Sequence, residues 1–416
     1  MNSKKYDNLM EIPDLKFKRL LTIPIGPFHP ALIEPAFLTL HCDGETIKDV
    51  NIKVGFSHRS VQYIMEKRNY NRNIFIAERV CGICSNHHAT SYTGCVERLL
   101  EIESEIPDRA RYIRTIILEL ERLHSHLLWI GIAADLIGFE TLFMHSWRDR
   151  EIIMDLLELI SGNRVNYGMQ KIGGVRRDIP NELIPKIRRV TSGVRKAIEN
   201  ISSQALSDRI VESRFKNIGV ITDKDAQKLG VVGPVARASG LNIDSRKDSP
   251  ILAYDELDWQ ICIQKEGDVS ARLIVRVQEL YESLSIIDQS LDKLHDSSSK
   301  EIALENIPSM GSGLEALFKS EPPRGELVYH IITNETSCPE RVRIRTPSLI
   351  NNNAVPSMLK GYSLADAPII FGSVDPCFSC TDRVIFVKDI NKNRTKQLSL
   401  RELARKKRKK FRRFIL

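Results

Sequence analysis

The chain reads as a mixed α+β protein with a core of long helices and small β elements near both ends. Three observations predict this. Apolar residues recur at helical spacing through the middle of the chain. Short β-branched runs, broken by turn signals, fill the first 56 residues and reappear after residue 326. Two pairs of cysteines sit near opposite ends, so folding has to bring them together.

The β elements come first. Leu20–Ile25, Ala36–Cys42 and Thr46–Val54 are separated by Gly26-Pro27, Pro30 and Asp43-Gly44, and the last dipeptide is a hairpin signal. A short helix is expected at about Val61–Lys67. Pro107-Asp108 marks a helix start, and Ile113, Ile116, Ile117, Leu120, Leu123, Leu127 and Leu128 continue it to Ile137. Thr141–Ser161, Glu182–Ile201 and Asp268–Leu294 give three more amphipathic helices, enough for a bundle. A glycine-rich stretch, Gly230–Gly240, interrupts them. Strands are predicted at Glu326–Thr333 and Arg341–Arg345, then a short helix at Val355–Leu359. The chain divides into a β-rich region (1–56), a core (57–383) with cysteine boxes at 78–88 and 375–383, and an extension (384–416).

Composition excludes several classes. Of the 416 residues, 42% are hydrophobic and 27% charged, which is ordinary for a globular chain and not for a disordered or fibrous one. No apolar run reaches the roughly 18 residues of a membrane span. The closest, His126 to Phe139, is broken by Gly131, Asp135 and Gly138. The first 13 residues carry no secretory pattern. The net charge of +8 belongs to the extension, where 13 Lys and Arg face Asp389 and Glu402; the first 383 residues are slightly acidic. The run Arg405–Lys410 therefore suits an anionic lipid surface. Nucleic-acid binding is not expected, because only Phe411 and Phe414 stand among the basic residues.

There are 8 cysteines. Cys81-Gly82-Ile83-Cys84 and Cys377-Phe378-Ser379-Cys380 are C-x-x-C pairs, each able to turn two sulfurs toward one soft ion. By spacing alone, a structural zinc site, a redox centre and buried inert thiols all stay open. Cys42, Cys95, Cys262 and Cys338 match no motif and default to buried, inert thiols. Read alone, Glu34 fits an exposed strand end, and Arg324 fits a surface salt bridge.

The flanking residues narrow the choice. Arg79-x-Cys81-Gly82-x-Cys84-x-x-x-His88, with Asp375-Pro376-Cys377-x-x-Cys380, resembles the large subunit of nickel–iron hydrogenases. Arg383 closes the second box where most uptake enzymes of that family have His. This variant is similar to the membrane-bound, energy-converting branch, which is related to the quinone-site subunit of respiratory complex I. Gly26–Leu32, His58-Arg59, Gly173–Asp178, Gly233–Gly240, Pro323–Glu326 and Arg345-Thr346-Pro347 extend the likeness over about residues 20 to 390. The chain departs from the branch at Ser60 and Gln62, where Gly and Glu are common.

The resemblance implies a large-subunit-like fold and a set of roles. Cys81, Cys84, Cys377 and Cys380 would hold nickel, with Cys84 and Cys380 bridging to an iron that carries carbonyl and cyanide ligands. Cys377 would take the first proton, Glu34 the next, with His29 nearby. His88 would tune a sulfur, and Arg324 would set a cation beside the metals. Asp375 would orient Arg324 or its loop, and Thr346 or Ser348 would donate to a cyanide. Arg79 would pair with an acid at the cluster edge. The implied activity is hydrogen formation or oxidation. Iron–sulfur clusters would lie only in a partner small subunit, because no cluster-type cysteine run remains here. Membrane ion-translocating subunits would be partners, ferredoxin the electron donor, and formate-linked electrons the runner-up. The chain would sit peripherally on the cytoplasmic face of the membrane, and the segment after Arg383 would be trimmed or retained. A complex I-like coupling subunit without hydrogen chemistry is the alternative.

Overall fold

The computed structural model describes residues 20–30, 32, 34–297 and 300–381, and the backbone of Ile385–Asp389 and Arg394–Leu398. Arg383, the side chains after it and the Arg405–Lys410 run lie outside the described residues.

Strands β1 (Leu21–Ile25), β2 (Phe37–Asp43) and β3 (Thr46–Lys53) form an antiparallel meander. Gly44 makes the β2–β3 turn at φ 58°, a left-handed conformation that costs glycine nothing. Helix α1 (Val61–Met65) follows, entered through Ser60, itself left-handed at φ 58°. The Ser60 hydroxyl bonds the His58 ring at 3.2 Å. Next come α2 (Tyr70–Glu78), capped by Asn69, and α3 (Ser85–Leu99). The long helices are α4 (Asp108–Leu136) and α5 (Glu140–Ser161). A two-residue ladder, β4 (Gln170–Lys171) with β5 (Gly174–Val175), leads to α6 (Ile184–Ser207) and α7 (Arg209–Phe215).

Helix α8 (Asp223–Leu229) starts at the Thr222 cap and stops at left-handed Gly230. Short α9 (Pro234–Ala238) and α10 (Ser245–Asp248) precede α11 (Val269–Asp296), which Asp268 caps through the Ala271 N–H. A second antiparallel sheet, β6 (Glu315–Ser320), β7 (Leu327–Ile332) and β8 (Arg341–Arg345), follows. Then come α12 (Pro347–Asn351), α13 (Val355–Leu359) and α14 (Ala367–Ser373). The backbones of β9 (Ile385–Asp389) and β10 (Arg394–Leu398) pair antiparallel.

The expected mixed class is observed, and α4 packs against α5 and α11 as the bundle reading requires. Leu120, Leu123 and Leu127 of α4 are fully buried, each worth about 1.5–3 kcal/mol of transfer free energy. Helix α6 runs to Ser207, six residues past the expected end, and Glu182 falls in a preceding 3-10 turn. The elements α2, α7 to α10, α12, α14, β4, β5, β9 and β10 were not expected, nor were α3 and β6. Helix α3 is buried on nearly every side, so its Ser, Thr and His residues show no polar face. In β6 only Ala316, Phe318 and Ser320 point inward, too short an alternation to stand out.

Two cores result. The larger one gathers α2 to α6, α11 and the β6–β8 sheet. The smaller one joins the β1–β3 sheet to α8, α9, α13 and α14. The four paired cysteines make a small cluster of their own. Cys84 caps α3, in the larger core. Cys377 lies between Val374 and Phe378 of the smaller one. The boxes thus meet where the cores meet.

Candidate metal centre

The first box follows α2 directly. The Cys81 sulfur accepts the backbone N–H groups of Ile83 and Cys84, both at 3.3 Å. Cys84 is the N-cap of α3, whose positive dipole end favours thiolate. Glu121 of α4 pins that end by accepting the Asn86 and His87 N–H groups at 2.7 and 3.0 Å.

The second box is held at nearly every backbone polar group. The Cys377 N–H donates to the Ser348 hydroxyl at 3.0 Å. Glu34 accepts the Phe378 and Ser379 N–H groups with one oxygen and the Ser379 hydroxyl with the other, the last at 2.6 Å. Thr346 donates its hydroxyl to the Cys380 carbonyl at 2.7 Å. Asp375, at φ 56°, turns the chain into the box. Glu34 is partly buried. It also lines an open hollow of about 430 Å³ with Pro27, Phe28, His29, Leu32 and Pro35. The expected exposed strand-end role is therefore replaced by a loop cap.

All four cysteines are unoxidised and at most 3% exposed. The Cys81 and Cys377 sulfurs are 3.6 Å apart. Sulfurs on one tetrahedral ion at about 2.3 Å would lie roughly 3.8 Å apart. Cys81, Cys377 and Cys380 place their sulfurs within 4.8 Å of one another, and so do Cys84, Cys380 and a ring nitrogen of His88. His88 Nε2 is 3.7 Å from the Cys380 sulfur, while Nδ1 bonds the Tyr329 hydroxyl at 2.9 Å.

Arg324 is 3% exposed, and a surface salt bridge is thereby excluded. Its Nε donates to the Asp375 carbonyl at 3.0 Å, Nη2 to Asp375 Oδ1 at 2.8 Å, and Nη1 to the Ser125 hydroxyl at 3.3 Å. Burial opposes its charge, but Asp375, with the negative charge of the cysteine cluster, outweighs burial and holds its pKa above the ordinary value. Its loop is held from both sides. The Glu321 carboxylate takes Arg237 at 2.8 Å. Gly233 and Gly325 let two backbones touch, for a Cβ on Gly233 would lie 2.4 Å from the Arg324 carbonyl oxygen.

The four thiols shift one another's titration. Contacts from Cys377, Cys380 and Cys84 hold Cys81 well below the usual thiol range. For Cys84 and Cys377 a contact with Cys380 lowers the pKa, but the Cys81 thiolate and burial outweigh it and hold both well above that range. Cys380 is held well above it by Cys377, Cys81, Cys84 and burial. The protein alone stabilises one thiolate. A bound cation is what would turn all four into ligands, so the donor set fits a soft metal.

Neighbouring residues complete the wall. Arg79 pairs with adjacent Glu78 at 3.6 Å and leaves most of its own side chain in solvent. Gln62 is buried and accepts from Arg343 at 3.4 Å. Cys42 and Cys95 are buried as expected. Cys262 and Cys338 are only half-buried, a correction to the default, because their loops reach the surface.

Burial pushes the Glu78 carboxyl up to about 7 from an ordinary value of 4.5, against a Gly168 N–H bond that lowers it. The folded chain then holds a proton that the unfolded chain has released across that interval. Stability is fully present below the lower value and falls as pH rises toward about 7. Glu321, raised in the same direction by burial and Asp244, adds to the slope. Glu78→Gln is expected to flatten part of it, read by urea unfolding at both ends of the window. An unchanged slope refutes the assignment.

Comparison with known proteins agrees with this geometry. Residues 59–131 match the nickel-dependent hydrogenase family, and residues 136–383 match the 49 kDa subunit family of respiratory-chain NADH dehydrogenase. The chain is 39% identical over 387 residues to the membrane-bound hydrogenase subunit alpha of Pyrococcus furiosus, covering 90% of each. It is 38% identical over 366 residues to the carbon monoxide-induced hydrogenase of Rhodospirillum rubrum, covering 87% of this chain and 99% of that one. A chain in the structure of the membrane-bound sulfane sulfur reductase, an archaeal respiratory membrane complex, superposes with a TM-score of 0.83 at 31% identity, over 89% of this chain and all of that one. Among the described residues no helix is long and apolar enough to cross a membrane. The chain belongs to the family that unites nickel-dependent hydrogenase large subunits with the 49 kDa subunit of respiratory NADH dehydrogenase, and within it is an oxidoreductase of the hydrogenase kind.

Proposed function

We propose that this chain is the catalytic subunit of a membrane-associated nickel–iron hydrogenase, interconverting hydrogen with two protons and two electrons. The observation that carries the reading is the four-thiol nest, complete and buried, beside a buried arginine. A nickel–iron group with carbonyl and cyanide ligands, when bound, supplies the hydrogen-splitting redox chemistry. Cys81, Cys84, Cys377 and Cys380 would hold it, Cys81 and Cys377 on the nickel alone and Cys84 and Cys380 shared with the iron. The 3.6 Å pair on one side and the Cys84–Cys380–His88 group on the other support that division.

The chain's own groups handle the protons. Cys377 Sγ takes the first one, and Glu34, which grips the next two residues and faces the hollow, passes it outward. His88 tunes the Cys380 sulfur while Tyr329 fixes its ring. Arg324, oriented by Asp375, holds a fixed positive charge beside the centre. Ser348 accepts from the Cys377 N–H, so its own hydroxyl proton would be available to a cyanide nitrogen. Thr346 spends its proton on the Cys380 carbonyl, so we assign it to positioning the loop.

Electrons come from a small subunit with iron–sulfur clusters, fed by ferredoxin or, as the alternative, by formate-linked carriers. Membrane subunits couple the reaction to ion translocation, with this chain peripheral on the cytoplasmic face. Residues 384–416 carry the basic charge of the chain. The second reading, a coupling subunit without hydrogen chemistry, draws on the 49 kDa-type match over residues 136–383 and needs no nickel.

Metal analysis and infrared spectroscopy decide between them. In protein purified anaerobically with its native partners, nickel and iron are expected near one each per chain, with carbonyl and cyanide stretching bands. Zinc alone, or no metal and no bands, would overturn the hydrogenase reading.

A further inference from the structure

The two boxes are nearly 300 residues apart in sequence and rest on different cores. One side chain bridges their backbones. Arg59 Nη1 donates to the Arg79 carbonyl at 2.6 Å, and Nη2 donates to the Val80 carbonyl at 2.8 Å and the Ser379 carbonyl at 3.2 Å. Val80 immediately precedes Cys81, and Ser379 lies between Cys377 and Cys380. Glu34 holds the same residue from its other backbone group, through the Ser379 N–H. We propose that Arg59 is a positioning residue that sets the spacing between the two cysteine pairs, and so the affinity of the four sulfurs for a soft metal ion.

The chemistry of the side chain supports the assignment. A guanidinium is a rigid planar fork, so with Nη1 and Nη2 fixed on the Arg79 and Val80 carbonyls the remaining Nη2 hydrogen is aimed at the Ser379 carbonyl. The turn that delivers it is unusual. Ser60, the next residue, is left-handed at φ 58°, and its hydroxyl is bonded to His58. This aims the Arg59 head at the boxes while its body stays exposed. An exposed residue is not part of either core, so replacing it should leave the fold in place. Lysine, a point charge on a flexible stem, cannot bridge three carbonyls on two segments in the same way.

The inference rests on the reading that these four cysteines hold a metal. The test is anaerobic titration of the metal-free full-length chain with cobalt(II), following sulfur-to-cobalt charge-transfer absorption, with thermal unfolding in parallel. The unaltered chain is expected to bind with a thiolate spectrum; if it does not, the metal reading fails and the clamp falls with it. Arg59→Gln and Arg59→Lys are both expected to bind about tenfold more weakly or worse, with a shifted spectrum and an unfolding midpoint near that of the parent. Parent-like affinity and spectrum in either variant overturns the proposal, as does a loss of affinity no larger than the unfolded fraction explains. If Arg59→Gln does not fold, Arg59→Lys decides by the same criteria. Rescue by lysine would show that charge suffices and that no clamp is needed.

Discussion

Cys377→Ser is expected to lower hydrogen turnover by at least about a thousandfold, the scale seen when a group acting in the bond-making step is removed. A serine hydroxyl is a hard donor that stays protonated near neutral pH, so it neither ligates a soft metal well nor takes up a proton as a thiolate does. The fold should survive. The substitution removes no volume beyond the difference between sulfur and oxygen, and the Cys377 backbone keeps its bond to Ser348. The stability cost is expected to be about 1–2 kcal/mol, ordinary for one buried substitution. Nickel content, turnover and the unfolding midpoint should be measured on one preparation. Retained turnover in the folded variant would remove Cys377 from the mechanism.

Arg324→Lys is the second large effect. The positive charge remains, but the fork that serves the Asp375 carbonyl, its carboxylate and Ser125 is lost. Turnover is expected to fall about 10²- to 10³-fold, the range for removing one preorganised electrostatic contact. Arg324→Ala is the less useful variant. It strands the buried Asp375 carboxylate, at a cost of about 3–5 kcal/mol, and mixes stability with catalysis. For the lysine variant the informative comparison is turnover against nickel content. Loss of turnover with full nickel supports a role at the reacting centre. Full turnover with lysine would reduce Arg324 to a loop brace.

Much of the architecture is legible in the residues. Helix α4 announces itself by a proline-led start and seven apolar residues at helical spacing, and the β2–β3 hairpin by Asp43-Gly44. The paired C-x-x-C boxes with their flanks carry the family. Helix α3 was hidden because periodicity reports a contrast between two faces, and this helix has almost no exposed face. The same blindness applies to the charges inside the bundle. Glu119, Arg122, Arg237, Arg246 and Glu279 look like solvated surface in the sequence but are buried together as ion pairs. Burial penalises the Glu279 carboxylate, yet Arg237 and His126 hold it well below the usual carboxylate range.

The residues alone gave the fold class and, through the resemblance of the two cysteine boxes and their flanks, the kind of enzyme, because helical spacing and short motifs are local properties of the chain. Only the tertiary structure decided what surrounds the paired cysteines. It made Glu34 a cap on the second box, buried Arg324 against Asp375, gave Thr346 and Ser348 to opposite ends of the box, and brought Arg59 across both boxes. Such contacts join residues up to 345 positions apart. No periodicity encodes them, since they arise when two separately packed cores close on each other and each buried polar group has to find its partner there.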